Sequence, residues 1–416
     1  MSQLAIVEMP GGYDFAWGEE KIQIKAQRAR EHKDGAVTVE LNITTSAPGY
    51  SPHLHLGKLN LLSSQSKASL SRLLQGIYEP ANWDEVLEQV STYIVDRIRK
   101  GEPVEVLCTD GDIAPPGYLL YPVIPQGQPT VFFGDGGSLK SLMALACIIC
   151  VQLPWQENPL SFKPGSGEST TSLFLDWETY NEDQRWRLKC LEQGHDLPAV
   201  MLNYRRCHSP LADDLEQIQD AIYTSKAKFI VVDSLAAATG GDLNAAEPAI
   251  RFFNALRKLK VTSLIVAHNS KDPQSKKKTI YGSAFFGNYA RSIFELKKTQ
   301  ELGASQVVVG MFHRKCNFAR LAHPMAFRVT FNENSTLIEK ESVQDIPEFM
   351  GNLSARSRIQ VALKGGPMAV DELSVETELS KDVLRARLND LRHKGEVVKL
   401  DDKWALAVKQ GTMPDV

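Results

Sequence analysis

The sequence predicts an α/β chain built on a mainly parallel sheet, with a β-rich module before it and a small helical tail after it. Three observations carry this reading. Between residues 106 and 345, apolar runs of strand length alternate with helical patterns. Inside that span Thr130 to Leu145, TVFFGDGGSLKSLMAL, joins a strand-like run to a glycine loop and a helix-like run. Residues 1 to 105 and 352 to 410 follow different periods, which divides the chain into three domains.

The glycine stretch organises the rest. Val131 to Phe133 read as a buried strand, and Leu142, Met143, Leu145 and Ile148 as the apolar face of a helix. Between them lie Gly134, Asp135, Gly136, Gly137, Ser138, Leu139, Lys140 and Ser141. Strand, glycine loop, Lys-Ser and helix make a phosphate-binding P-loop. Glycines let backbone N–H groups turn inward around a phosphate, and the helix N-terminus adds partial positive charge. Gly134 to Leu142 are therefore the nucleotide-binding candidates. Lys140 would reach the β- and γ-phosphates and the Ser141 hydroxyl would bind Mg²⁺. Leu139 stands where the motif G-x-x-x-x-G-K-[ST] has glycine; it keeps the backbone N–H but adds a side chain. The competing reading is an ordinary glycine turn.

Composition sets the class. The 416 residues are 43% hydrophobic and 23% charged, as in ordinary globular proteins. A net charge of −3 excludes a global nucleic-acid footprint, so such binding must come from local basic patches. No stretch reads as a membrane span, and MSQLAIVEMPGGYDF lacks signal-peptide features, so a cytoplasmic location is expected. Cys147 and Cys150 have C-x-x-C spacing inside the apolar helix and read as small buried hydrophobes.

In the first module Ile22, Ile24 and Ala26, then Val37, Val39, Leu41 and Ile43, alternate around HKDG and predict a hairpin. Two amphipathic helices follow, the second with Asn82 as its cap. In the central domain TSLFLDWE ends in acids, and ligands sit at the carboxyl ends of parallel strands. Asp176 and Glu178 would therefore face the phosphates, with Glu178 the candidate base for water. A solvated strand end is the alternative. KFIVVDS puts Asp233 in position to hold Mg²⁺. TSLIVAH ends in His268 and Asn269, which could sense a γ-phosphate. The loop after them carries Lys276, Lys277 and Lys278, read either as a solvated surface or as a DNA-backbone contact. A later strand runs into Arg314 and Lys315, cations that could serve a neighbouring subunit's phosphate.

The tail shows three short helical patterns and a hairpin turning at Asp401 and Asp402, the winged-helix layout. Its third helix bears Lys381, Arg385 and Arg387. Duplex binding and protein docking are both open there, because Asp382, Asp390 and the aspartate turn oppose DNA.

The span from about Val123 to Arg320 resembles the RecA-like P-loop ATPases, in particular the RepA and DnaB hexameric helicase branch with its phage and plasmid AAA-family relatives. GDGGSLKS resembles the Walker A loop, LDWE the strand with the water-polarising glutamate, and FIVVDS the Walker B strand. IVAHNSKD resembles the γ-phosphate sensor segment, IYGSAFFGNYAR a G-S-…-A-R segment, and FHRKCN the finger strand. The motifs are specific through their order and spacing. The resemblance implies a RecA-like core that binds ATP with Mg²⁺, with Lys140, Glu178, His268, Asn269, Arg314 and Lys315 at the chemistry. It implies a homo-oligomeric ring or filament acting on DNA, single-stranded in its central loops. A nucleotide-gated DNA-binding or helicase-loading protein with slow hydrolysis is a second reading. A circadian-clock-like switch is a third, disfavoured by the tail.

Overall fold

Strand alternation builds the first unit of the computed structural model, which describes residues 4–9, 11–101, 104–107, 109–110, 116–270, 279–343, 346–351 and 353–407. Strands β1 (Leu4–Met9), β2 (Gly12–Trp17), β3 (Ile22–Glu31), β4 (Val37–Thr45) and β5 (His53–Asn60) form an antiparallel meander in chain order. The alternating apolar residues of β3 and β4 are all buried. They face helices α1 (Ser64–Ile77) and α2 (Trp83–Lys100), where Trp83, Val86, Leu87, Val90 and Ile94 complete the core. Asn82 caps α2 by accepting from the Glu85 N–H at 3.4 Å. The hairpin and both helices follow the sequence pattern; β1, β2 and β5 had not been anticipated.

A small three-stranded sheet, β6 (Tyr118–Tyr121), β7 (Ile124–Pro125) and β9 (Lys163–Pro164), leads into the central domain. The main sheet contains β8 (Pro129–Gly134), β10 (Ser172–Asp176), β11 (Asn203–Arg206), β12 (Phe229–Asp233), β13 (Thr262–His268) and β14 (Ser292–Thr299). It continues through β15 (Gln306–Cys316), β16 (Met325–Phe331) and β17 (Thr336–Glu341). The spatial order is β11-β10-β12-β13-β8-β14-β15-β16-β17. The first six run parallel and the last three add on antiparallel. β10 and β12 are buried at every position, as expected of strands covered on both faces. One face packs on α3 (Lys140–Gln152), and α4 (Asn181–Gly194) adds Leu188 and Leu191 there. The other face takes α5 (Leu215–Ser225), α6 (Leu235–Thr239) and α7 (Ala246–Lys258), with α8 (Ala284–Tyr289) beside them. Cys147 and Cys150 lie in the α3 core, where burial pushes the Cys150 thiol up to about 12.

Beyond a short α9 (Pro347–Met350), the tail comprises α10 (Ala355–Ala362), α11 (Val370–Thr377), α12 (Lys381–His393) and the hairpin β18 (Val397–Leu400) with β19 (Lys403–Leu406). Leu373, Leu384, Leu388, Leu391 and Trp404 form its own core. Among the described residues no helix is long and apolar enough to cross a membrane.

Candidate active site

The P-loop leaves the carboxyl end of β8, in the middle of the parallel strands. Gly134 has no room for a side chain, since a Cβ there would lie 2.2 Å from the Leu296 carbonyl oxygen. Gly137 takes φ +70° and Leu139 takes φ +60°, the left-handed region. Leu139 thus adopts the backbone that the motif's glycine supplies freely, at a cost of order 1–3 kcal/mol. Its side chain packs against the α3 core, which offsets part of this. Leu139→Gly should therefore stay within about 1 kcal/mol of wild type. Leu139→Val, β-branched and shorter, should lose roughly 2 kcal/mol. Equal denaturant midpoints for the valine and wild-type proteins would contradict the left-handed assignment.

Lys140 opens α3 and is 6% exposed. Its Nζ donates to the Asp135 carbonyl at 2.8 Å, the Gly134 carbonyl at 3.1 Å and Ser138 Oγ at 3.4 Å. Burial pushes its pKa down, while the carboxylates of Asp233, Glu178 and Asp135 oppose the shift. Asp233 ends β12, two places from β8, with β13 between them. Burial raises its pKa to about 7, with Ser141 as a hydrogen-bonding neighbour that lowers it. Its Oδ1 is buried with no hydrogen-bond partner among the described residues. A buried carboxylate oxygen without a partner, beside a serine hydroxyl and a P-loop, suits Mg²⁺, which binds through one or two protein oxygens plus phosphates. Ser141 and Asp233 would hold that ion, and it would neutralise phosphate charge.

Glu178 lies just beyond β10. The Ser234 hydroxyl donates to its Oε1, and His268 Nε2 stands 3.5 Å from the same oxygen. The sequence pointed to Glu178 and His268 but missed Ser234. Asp176 does not face the phosphates as expected. It is fully buried and accepts from the backbone N–H groups of Glu178 (2.8 Å) and Thr179 (2.9 Å) and from Gln184 Nε2 (3.0 Å). Its work is to fix the turn that presents Glu178. Asn269 is buried and braces the P-loop: its N–H donates to the Gly134 carbonyl at 3.2 Å and its Nδ2 to Asp135 Oδ1 at 2.9 Å.

These groups surround a cavity of about 290 Å³, lined on one side by Gly137 to Leu142 with Glu178, Asp233 and His268. The opposite wall brings residues that the sequence did not single out: Trp186, Arg187 and Cys190 of α4, then Phe331 and Thr336. Arg187 helps to lower the Asp233 pKa, so its charge reaches the metal side. Lys298 is a second unanticipated cation. A methyl built on Gly137 would lie 3.5 Å from its Nζ, and Lys298 has no ion-pair partner among the described residues. Neither residue stands in a recognisable motif; only the strand register and the α4 packing reveal them.

Arg314 and Lys315 lie elsewhere. Lys315 is level with Ile293 and Val131, whereas the P-loop begins level with Leu296. That difference is roughly 10 Å along the strand. Arg314 pairs with Glu295 at 2.6 Å, and its guanidinium lies 5.0 Å over the Phe312 ring. Lys315 Nζ donates to the carbonyls of Gly287, Asn288 and Ala290, each at 2.8 Å, and so caps the end of α8 within its own chain. Neither cation is brought to its own P-loop. Lys276, Lys277 and Lys278 lie outside the described residues. On α12, Lys381 pairs with Asp371 and Arg385 with Asp382, while Arg387 is exposed.

A protein-family profile described as an AAA domain matches residues 99–274. Among solved structures, a KaiC-like protein from the hyperthermophilic archaeon Pyrococcus horikoshii is similar at 15% identity, with a TM-score of 0.36, over 54% of this chain and 97% of that one. Comparison with curated proteins finds no match. The profile match covers less than half of the chain and spans the P-loop, Glu178, Asp233 and His268.

Proposed function

We propose that the chain is an ATP-hydrolysing motor of replicative-helicase type that acts on DNA as a homo-oligomeric ring or filament. The observation that carries the hydrolytic part is the meeting of Lys140, Ser141, Asp233 and Glu178 around one cavity at the carboxyl ends of β8, β10 and β12. Lys140 and the loop N–H groups would bind the phosphates. Glu178 would orient a water and take its proton, with Ser234 holding one carboxylate oxygen so that the other faces the water. Charge for the leaving phosphate would come from Arg314 of a neighbouring copy, because within its own chain that side chain is paired with Glu295 and is not among the residues lining the P-loop cavity. The three-helix and hairpin tail supports the DNA part, read as a winged helix with Arg385 and Arg387 on its third helix.

The deciding experiment is ATP turnover with and without single-stranded DNA, with sedimentation in the same buffers. Stimulation with assembly supports the motor. DNA-independent turnover by a monomer removes it. A second reading, a nucleotide-gated loader with slow hydrolysis, is favoured by Leu139, which puts a side chain and a left-handed backbone where the P-loop motif has glycine. It predicts DNA binding that depends on ATP without stimulated turnover. For the central loop, replacing Lys276, Lys277 and Lys278 with alanine should flatten the slope of log affinity against log salt by up to about two units on single strands. An unchanged slope would mark that loop as a solvated turn.

A further inference from the structure

The edge strand β11, NYRR, has no apolar run, yet it pairs in parallel with β10 and sets Arg206 level with Asp176. Tyr204 and Arg206, two places apart, share one face of the strand. The Tyr204 hydroxyl stands 3.4 Å from Asp176 Oδ2, and Arg206 Nη1 lies 3.6 Å from Oδ1. Every hydrogen-bond donor to this buried carboxylate is neutral, and among the described residues Arg206 is its one ion-pair partner. The closer contact of Arg206 is with backbone: Nη1 donates to the Asp176 carbonyl at 3.2 Å. Its guanidinium also lies 5.5 Å from the centroid of the Tyr180 ring, at the residue that precedes α4. Arg206 thus touches both ends of the turn 176–180, with Glu178 at its middle. The far end of α4 is fastened separately. A Cβ on Gly194 would lie 2.1 Å from the Thr336 carbonyl oxygen, and His195 accepts from the Ile338 N–H of β17 at 3.0 Å.

We propose that Arg206 is a positioning residue for hydrolysis: it clamps the turn at Asp176 and at Tyr180, and so holds the Glu178 carboxylate where it can act on water. This rests on the reading of Glu178 as the base. A cation that only neutralised Asp176 would aim its fork at the carboxylate, with two short bonds. Arg206 instead makes its hydrogen bond to the main chain of the turn, and its distance to the carboxylate exceeds a hydrogen bond. Its Nε is buried without a hydrogen-bond partner among the described residues, a cost that neutralisation alone does not require. Each neutral donor to Asp176 can be lost while the others remain, whereas Arg206 spans the whole turn. Positioning of this kind matters because a reacting group displaced by about 1 Å can lose roughly 100-fold in rate.

The test is phosphate release by the full chain at saturating ATP and Mg²⁺, with ATP affinity titrated separately. Arg206→Ala should lower kcat by roughly 10- to 100-fold and leave ATP affinity unchanged. Arg206→Lys keeps the charge without the planar fork and should recover part of that loss. Tyr180 is 68% exposed, so its replacement spares the core. Tyr180→Ala should lower kcat by roughly 2- to 5-fold, and Tyr180→Phe, which keeps the ring, should restore it. Because Arg206 acts through Glu178, Arg206→Ala should add nothing to the loss in Glu178→Gln protein. If Arg206→Ala does not fold, Arg206→Lys and the two Tyr180 variants decide by the same readouts. Wild-type kcat in Arg206→Lys and Tyr180→Ala together would overturn the proposal. So would multiplying losses in the double variant, or a fall in ATP affinity that matches the fall in kcat. Slow turnover by Glu178→Gln beside normal turnover by the Arg206 variants defeats the positioning alone. Normal turnover by Glu178→Gln defeats the base reading itself.

Discussion

Glu178→Gln protein is expected to bind nucleotide as wild type does and to turn it over roughly 10²- to 10⁴-fold more slowly. Glutamine keeps the size and can still accept the hydrogen bond from Ser234. It cannot accept a proton from water. Two further changes locate the effect. Ser234→Ala should slow turnover by roughly tenfold, because it frees the carboxylate to move without removing the base. Thr179→Ala, which removes one donor to the buried Asp176, should act mainly on stability. Phosphate release under saturating nucleotide and a separate binding titration read the two quantities apart. Turnover by Glu178→Gln at the wild-type rate would take Glu178 out of the chemistry.

Asp233→Asn protein should be more stable than wild type without nucleotide, and unable to use Mg²⁺. Burial raises the Asp233 pKa from 3.8 to about 7. The folded chain therefore holds this proton more tightly than the unfolded chain does. The stability from the neutral form is complete below about pH 4 and is lost as pH rises to about 7. At pH 8 the wild-type fold carries a buried charge with one carboxylate oxygen lacking a hydrogen-bond partner among the described residues, whereas asparagine carries no charge. We expect a gain of about 2 kcal/mol at pH 8, or roughly 4–8 °C in midpoint, shrinking toward pH 4. Mg²⁺ requires the ionised carboxylate, so wild-type metal affinity should rise about tenfold per pH unit up to neutrality and then level off. Calorimetric melting across this range checks the first expectation, and Mg²⁺ titration with nucleotide checks the second. A midpoint difference that does not change with pH would assign it to packing rather than to charge.

How much the sequence could tell differs between the two walls of the cavity. The charged wall was legible because Lys140, Glu178, Asp233 and His268 each end an apolar run or open a helix, where periodicity alone sets them on one edge of the sheet. The aromatic wall was not. Trp186 lies within a polar helix, and only packing of α4 against β17 brings it opposite the P-loop. β16 and β17 carry alternating patterns, MAFRVTF and TLIEKE, that were readable but had no motif to draw attention to them. β11, NYRR, has no apolar run and forms because β10 offers a parallel edge. Leu139 shows a different limit. The sequence placed the loop's freedom in its glycines, whereas the fold also asks Leu139 for a left-handed backbone.

The bond from the Ile338 N–H to His195 also bears on the exposed margins of the main sheet. Open sheets end in two strands whose outward amides can recruit other chains into aggregates. Here α4 and its terminal histidine lie along β17, so one margin of the nine-stranded sheet is covered by its own helix. The opposite margin, β11, is four residues long and contains Arg205 and Arg206. Arg205 is anchored to Asp214 at 2.8 Å, and Arg206 pairs with Asp176 at 3.6 Å. A short margin carrying two arginines is a poor template for strand addition. The sheet is thus guarded at one margin by its own helix and at the other by brevity and charge, so neither margin is a ready template for an added strand.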